Sequence, residues 1–351
     1  MHGRKTVEAF HESTHPLPLP DDLMRRSVLP VGLLLLTNSF VLGAELRVPA
    51  AALVFSPDGR QLLVGAHREI HIHSAETGRL EQRMACEFPK ISAFAFSLDT
   101  ATLAVAGGIP GVVGGAQLYD WPAGTVRGIL TNHTDQASAV AFNSNATLLT
   151  TAGTDGSITV FNWSPPSFAY RLDGHSGPVL AAAFSPDNEL LVTASADRSV
   201  KVWDAATGKL RRSFSHHTDI VHCLTFRPRT FVEGEPVSLY CATGSQDKTV
   251  RVWQPGIGRM VRIVRGHEGP VLAVVYSADG SRLYSAGKEG IVRVIDADSD
   301  QILHSWAAHD DWIYSLAMSP NGRLLATGDW QGGVKLWDIR ETLGTLRQEI
   351  R

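Results

Sequence analysis

The sequence has little of what nucleic-acid-binding or membrane-spanning proteins require. Its 351 residues carry a formal net charge of −3, and no run of lysine or arginine supplies the positive stripe that phosphate binding needs. No apolar segment reaches the ~20 residues of a membrane-spanning helix. We therefore expect neither a nucleic-acid partner nor a stable membrane anchor.

Cysteines are also few. The sequence has three, and none belongs to a Cys-x-x-Cys pair, which argues against a thiolate zinc site and against a disulfide framework. Cys223 and Cys241 fall on neighbouring predicted strands, where either two buried thiols or, in an oxidising compartment, a disulfide would fit. The Gly-x-Ser-x-Gly, His-Glu-x-x-His and protein-kinase signatures are absent as well. We expect no cofactor and no catalytic residue.

Residues 1–44 differ from the rest of the chain and are expected to form a leader. Residues 1–23 are polar and lack the period of a helix or a strand, which predicts disorder. Residues 24–44 combine Arg25-Arg26, the apolar stretch 28–42 and two small residues, a pattern typical of a signal peptide. The paired arginines also resemble a twin-arginine export signal, which would fit a bacterial source. Cleavage predicts a periplasmic or secreted protein. An uncleaved, buried N-terminal segment predicts a cytoplasmic one.

Residues 45–351 are organised by an internal repeat. The segment 174–179, Gly-His-Ser-Gly-Pro-Val, recurs at 266–271 as Gly-His-Glu-Gly-Pro-Val. The positions that align with Trp203 mark seven units: His73, Tyr119, Phe161, Trp203, Trp253, Ile295 and Trp337. They are separated by 46, 42, 42, 50, 42 and 42 residues, and the two longer intervals contain insertions at 107–115 and 229–236. Repeats of about 40–45 residues are typical of propeller blades.

Within one unit the pattern predicts four short strands. They are separated by turn residues and lie at Val179–Phe184, Leu190–Thr193, Val200–Trp203 and Leu210–Phe214. A single sheet of this kind leaves both faces unburied, whereas seven arranged radially bury each face against a neighbour. The sequence therefore predicts an all-β fold, a seven-bladed β-propeller of four-stranded antiparallel blades.

Two dipeptides in the repeat resemble those of a known family. Gly-His occurs at 174–175 and 266–267, and Trp-Asp at 203–204 and 337–338, which resembles the WD-repeat family typified by the β subunit of heterotrimeric G proteins. The resemblance covers about residues 46–350. It implies that an N-terminal strand completes the last blade. In this chain either residues 45–48 or residues 343–349 could complete it.

The resemblance also explains a recurring set of His, Ser or Thr, and Asp that imitates a catalytic triad. In the family these residues and a Trp form a structural chain of hydrogen bonds, which implies the same role here. Two sets are complete: His175, Thr193, Asp197 and Trp203 in blade four, and His217, Thr243, Asp247 and Trp253 in blade five. Other blades depart from the set: Phe161 replaces Trp in blade three, Glu289 and Ile295 replace Asp and Trp in blade six, and Gln331 replaces Asp in blade seven.

Two tryptophans of the seventh unit break the repeat and are candidates for partner binding. Trp312 aligns with Pro178 and Pro270, and Trp330 aligns with Ala196 and Lys288. Because the loops of a propeller cluster on its two faces, we expect both tryptophans on one face, near the central channel. Packing against a neighbouring blade or the N-terminal segment is the alternative. The expected polar rim comprises Asp310, Asp311, Gln331, Lys288 and Glu289.

Three other patterns are weaker. His71 and His73 lie two apart on a predicted strand and face the same side, but no third ligand completes a metal site. The acidic residues of segment 296–300 imitate a calcium loop that lacks its glycine and its final glutamate. The glycine-rich stretch 107–115 is interpreted as an enlarged surface loop.

Taken together, these patterns favour a non-enzymatic protein-interaction scaffold, monomeric by itself, that binds one or more proteins. The alternative is a propeller enzyme or a metal-binding protein with its site in the central channel.

Overall fold

The computed structural model describes residues 49–163, 166–228, 238–339 and 344–350, and every regular element in these ranges is a β-strand. The leader therefore lies outside the described residues, as does the whole of the predicted insertion at 229–236. No helix long and apolar enough to cross a membrane occurs in the described ranges.

The strands of the first four blades follow one another along the chain. Blade one contains β1 (Leu53–Phe55), β2 (Gln61–Gly65), β3 (Glu69–Ser74) and β4 (Leu80–Ala85). Blade two contains β5 (Lys90–Phe96), β6 (Thr102–Ile109), β7 (Val113–Asp120) and β8 (Thr125–His133). Blade three contains β9 (Ala137–Phe142), β10 (Leu148–Gly153), β11 (Ile158–Trp163) and β12 (Pro166–Leu172). Blade four contains β13 (Val179–Phe184), β14 (Leu190–Ser195), β15 (Val200–Asp204) and β16 (Leu210–Phe214).

The last three blades repeat this order. Blade five contains β17 (Val221–Phe226), β18 (Cys241–Ser245), β19 (Val250–Gln254) and β20 (Arg259–Val264). Blade six contains β21 (Val271–Tyr276), β22 (Arg282–Gly287), β23 (Ile291–Asp296) and β24 (Ile302–Ala307). Blade seven contains β25 (Ile313–Met318), β26 (Leu324–Asp329), β27 (Val334–Asp338) and β28 (Thr345–Ile350). Each blade is a four-stranded antiparallel sheet, so the predicted seven-bladed architecture is confirmed.

The innermost strand of each blade contacts those of its two neighbours, and this chain of contacts closes between β25 and β1. The described part of the chain has seven apolar clusters, and each one joins two adjacent blades. The faces that a single sheet would leave exposed are therefore buried between blades.

Ring closure requires no strand shared between the first and last blades. Of the two candidate segments, 345–350 forms β28 and pairs with β27 as the outer strand of blade seven, while 45–48 lies outside the described residues. Blades seven and one then meet by packing and by two hydrogen bonds to Ala50. Its N–H donates to the carbonyl of Asp329 over 3.0 Å, and its carbonyl accepts from Ser315 Oγ over 2.5 Å.

The glycine-rich stretch 107–115 is not the loop that the sequence suggested. Gly107, Gly108 and Ile109 pair with Gly115, Gly114 and Val113, so β6 and β7 continue as a hairpin to a tip at 110–112. The glycines are needed for close packing, because a Cβ on Gly114 would lie 2.1 Å from the carbonyl oxygen of Asp135. The hairpin rises on the same face as the loop between β26 and β27, since both connect the second and third strands of a blade.

Candidate protein-binding face

In blade four the predicted set forms a continuous chain of hydrogen bonds. The indole Nε1–H of Trp203 donates to Thr193 Oγ1 over 2.9 Å, and that hydroxyl lies 2.8 Å from Nε2 of His175. The Nδ1–H of His175 then reaches Oδ2 of Asp197 over 2.8 Å. A neutral imidazole that carries its proton on Nδ1 satisfies all three bonds.

Blade five repeats this geometry. Trp253 Nε1 lies 2.8 Å from Thr243 Oγ1, which lies 2.9 Å from Nε2 of His217, and His217 Nδ1 lies 2.8 Å from Asp247. Arg251 adds a cationic partner to this carboxylate at 3.4 Å.

Burial and hydrogen bonding set the protonation states of these sets. Burial lowers the pKa of His175 and of His217, and this outweighs the opposing effect of the neighbouring aspartates. Burial would raise the pKa of Asp197, but hydrogen bonds from Ser199 and His175 hold it at about 2. Each set therefore joins a neutral imidazole to an ionised carboxylate at neutral pH.

The hydrogen bonds of these sets have a structural role. Thr193 and Thr243 are fully buried, and each hydroxyl is already committed to an indole on one side and an imidazole on the other. A nucleophile needs an accessible oxygen beside its base, which neither hydroxyl offers. The chain of bonds instead satisfies polar groups that would otherwise be buried without partners.

Three blades compensate for residues missing from the set in ways that alignment did not reveal. In blade seven, Asp329 lies two positions before Gln331 and its Oδ2 accepts from Nδ1 of His309 over 2.8 Å. In blade three, where Phe161 has no indole N–H, the amide of Asn132 donates to Thr151 Oγ1 over 2.8 Å.

Blade six uses a guanidinium for the same purpose. Arg293 lies 3.1 Å from Nδ1 of His267 and forms an ion pair with Glu289. His267 Nε2 in turn lies 2.8 Å from the hydroxyl of Ser285. Glu289 therefore faces the interior of its blade, away from the polar rim in which the sequence analysis placed it.

The two departing tryptophans lie together on one face. Trp312 stands in the loop before β25 and Trp330 in the loop after β26, and their ring centroids are 6.1 Å apart. The N–H of Trp330 donates to the carbonyl of Trp312 over 2.9 Å, which ties the two loops together. Their side chains remain 36% and 49% exposed, respectively, so neither is buried against the neighbouring blade.

A third aromatic ring, missed by the sequence analysis, completes this cluster. Tyr314 lies 6.4 Å from Trp312 and 5.2 Å from Trp330 between ring centroids. It occupies the repeat position of Leu180, His222 and Leu272, all of which line the central cavity. We call Trp312, Tyr314 and Trp330 the aromatic patch. The position of Tyr314 at the mouth of the channel could have been inferred from the alignment, because Tyr314 follows Trp312 by only two residues.

Charged and polar side chains of the expected rim surround the patch. The ammonium of Lys288 lies 3.7 Å from the ring centroid of Trp312, a cation–π contact. On the other side, Gln331 Nε2 donates to Asp311 Oδ2 over 3.1 Å, and Asp310 is exposed. Of the five rim residues, Lys288 thus contacts the patch directly, and Asp311 and Gln331 adjoin Trp312 and Trp330 along the chain.

The weaker patterns have other partners. His71 Nε2 lies 2.9 Å from Glu69, and His73 Nδ1 lies 3.1 Å from the carbonyl of Gly78. Asp298, from the imitated calcium loop, forms two hydrogen bonds of 2.6 and 3.0 Å with Arg227. No group of three or more His, Cys, Asp or Glu that could hold a metal occurs in the described ranges.

The two cysteines on neighbouring strands are not paired. Cys241 lies opposite Phe226 in the sheet register, and Cys223 lies opposite Gly244. Both thiols are free, and burial raises the pKa of Cys223 to about 12. Of the two alternatives, the structure therefore has two unpaired thiols.

The central channel was the predicted place for the alternative, enzymatic function. It encloses about 450 Å³ and is lined by the innermost strands of all seven blades. The described lining contains one imidazole, that of His222, and no carboxylate. His222 Nε2 pairs with Oε1 of Gln246 at 3.0 Å, and burial lowers its pKa. This lining offers no pair of groups for acid–base chemistry.

A closed ring of blades with repeated His-Thr-Asp-Trp bonding chains defines a repeat-built β-propeller. The profile of the WD domain, G-beta repeat, matches residues 124–162 and 300–338, and that of the fourth β-propeller of WDR90 matches residues 178–304. The chain belongs to the WD-repeat β-propeller family.

Similar proteins are named for different processes. The chain is 35% identical over 82 residues to a poly(A)+ RNA export protein of Schizosaccharomyces pombe, a match that covers 22% of each chain. It is 36% identical over 89 residues to mRNA export factor GLE2 of Chaetomium thermophilum, which covers 24% of this chain and 25% of the relative. It is 31% identical over 78 residues to eukaryotic translation initiation factor 3 subunit I of Neosartorya fischeri, covering 22% and 23%.

The matches to these relatives span about a quarter or less of their length. All three organisms are eukaryotes, so the comparisons give no support to a bacterial source.

Proposed function

We propose that this chain is a non-enzymatic scaffold for protein interactions and that a partner protein binds the aromatic patch at the mouth of its channel. The observation that carries the proposal is the exposure of Trp312 and Trp330, which lie outside the repeated structural set. Exposed tryptophans in a cluster are typical of binding hot spots, because a partner gains a large apolar contact at small cost in side-chain entropy.

The family and the site both favour this function. Each His-Thr-Asp-Trp set is committed to holding its blade together, and the described channel lining supplies a single imidazole. One group of relatives is named as a subunit of a translation initiation factor, which fits a propeller that functions within an assembly.

The test compares captured partners of the full chain and of two double variants. Trp312→Ala with Trp330→Ala removes most of the patch. Leu98→Ala with Ile257→Ala is the matched control, because both side chains are large, apolar and exposed, and they lie in the turns of the opposite face. We expect a protein retained by the wild type and by the control to be lost by the tryptophan variant.

Circular dichroism and the melting temperature must first show that both variants are folded. Equal capture by all three proteins would show that this face does not bind the partner.

We further propose that the chain is exported, as the leader predicts. The leader lies outside the described residues, and immunodetection of the mature N-terminus in cell fractions would test this location.

A further inference from the structure

The aromatic patch already holds a cation from its own chain. Lys288 extends from the neighbouring blade and places its ammonium 3.7 Å from the ring centroid of Trp312. The faces of aromatic rings carry partial negative charge and attract cations, most strongly in tryptophan. The ligand chemistry that suits the patch is therefore visible in the molecule itself.

Part of the patch remains open to a second cation. Lys288 contacts Trp312, whereas Trp330 keeps 49% of its surface exposed and lies beside Tyr314. An incoming side chain would thus meet two aromatic rings that no described cation covers.

The surroundings of the open side are acidic. A cavity of about 210 Å³ is lined by the carboxylates of Asp310, Asp311, Asp329 and Glu349 and by the ammonium of Lys335, which pairs with Glu349 over 3.3 Å. Asp310 is exposed and forms no hydrogen bond or ion pair with the described residues. Asp311 and Gln331 adjoin both the cavity and the tryptophans, so the acidic and aromatic surfaces are continuous.

We propose, building on the function proposed above, that the partner presents an arginine side chain that stacks on Trp330 and pairs with Asp310. A planar guanidinium suits both contacts, because it stacks on aromatic rings and binds carboxylates through a fork of N–H donors. The acidic rim disfavours a phosphate-bearing partner, which aromatic rings alone would accept.

The experiment uses the full chain labelled with 5-fluorotryptophan and observed by ¹⁹F NMR. Its eight tryptophans give few enough signals to assign Trp312 and Trp330 with single Phe variants. The probe is the peptide acetyl-Gly-Gly-Arg-Gly-Gly-amide, and the control peptide has citrulline, which is neutral and nearly isosteric, in place of arginine. Both are titrated to about 20 mM, because an exposed cation–π contact with one ion pair supports only weak binding.

We expect the arginine peptide to shift the Trp330 signal saturably and the citrulline peptide to bind at least about fivefold more weakly. Asp310→Asn should weaken arginine binding about threefold, whereas Asp300→Asn, the same change in an exposed turn of the opposite face, should leave it unchanged. Lys288→Met should strengthen binding about twofold, because it leaves the ring of Trp312 free for the ligand.

Equal binding of the two peptides, or no shift with either, would overturn this inference. So would a shift of the same signals by deca-uridylate in the absence of an arginine response, which would indicate a nucleic-acid ligand instead. If the tryptophan variant still loses a captured protein while arginine and citrulline bind equally, the scaffold function stands and only the arginine-bearing partner is refuted.

Discussion

Replacing Thr193 with Val tests whether the bonding chain of blade four stabilises the propeller. The substitution keeps the shape of the side chain but removes the hydroxyl that joins Trp203 to His175. Both partners are buried, so an indole N–H and an imidazole nitrogen lose their bonds without access to water. At about 1–3 kcal/mol for each unsatisfied group, less the gain from no longer burying the hydroxyl, we expect a net loss of about 2–4 kcal/mol.

The chain provides a matched control in Thr159. It is also buried on a strand, but its hydroxyl has no hydrogen-bond partner in the described structure. Thr159→Val should therefore be neutral or stabilising. Thermal unfolding followed by circular dichroism should show a decrease of roughly 3–6 °C for Thr193→Val, given the unfolding entropy of a domain of this size. Equal melting temperatures for the two variants would refute the reasoning.

Three further predictions concern the bonding sets and the blade-two hairpin. The melting temperature should fall as the pH drops below 6.5, because the folded-state pKa of His175 and that of Asp197 are both lowered and the unfolded chain then binds more protons; a rise on acidification would contradict this. Gly114→Ala should destabilise by about 1–3 kcal/mol in urea unfolding, whereas Gly128→Ala, whose Cβ meets nothing within 4 Å, should change stability by less than about 0.5 kcal/mol. Asp329→Asn should cost about 1–3 kcal/mol by turning an amide toward His309, and an unchanged urea midpoint would show that this carboxylate is dispensable.

The architecture could be predicted because it is local. Each blade is built from consecutive strands of one repeat, so turn residues and apolar alternation within about 42 residues specify it. The predicted strands of blade four agree with β13 to β16 within two residues at each end. The number of repeats then set the number of blades.

The compensations within the bonding sets could not be predicted from alignment. An aligned position identifies a residue in sequence, whereas a hydrogen bond depends on where an atom lies in space. Asp329 reaches His309 from the end of β26 although it stands two positions before the expected site, and Asn132 supplies a donor from the outer strand of blade two. Such replacements follow from the backbone geometry of neighbouring strands.

The candidate site shows the same division. The sequence by itself determined the seven blades, the two complete bonding sets and the choice of Trp312 and Trp330, because each is a regularity of the repeat or a departure from it. Only the tertiary structure decided that Lys288 covers one ring, that Glu289 turns inward and that β28 closes the last blade. These features depend on which atoms and strands meet in space, and the spacing of residues along one repeat does not specify that.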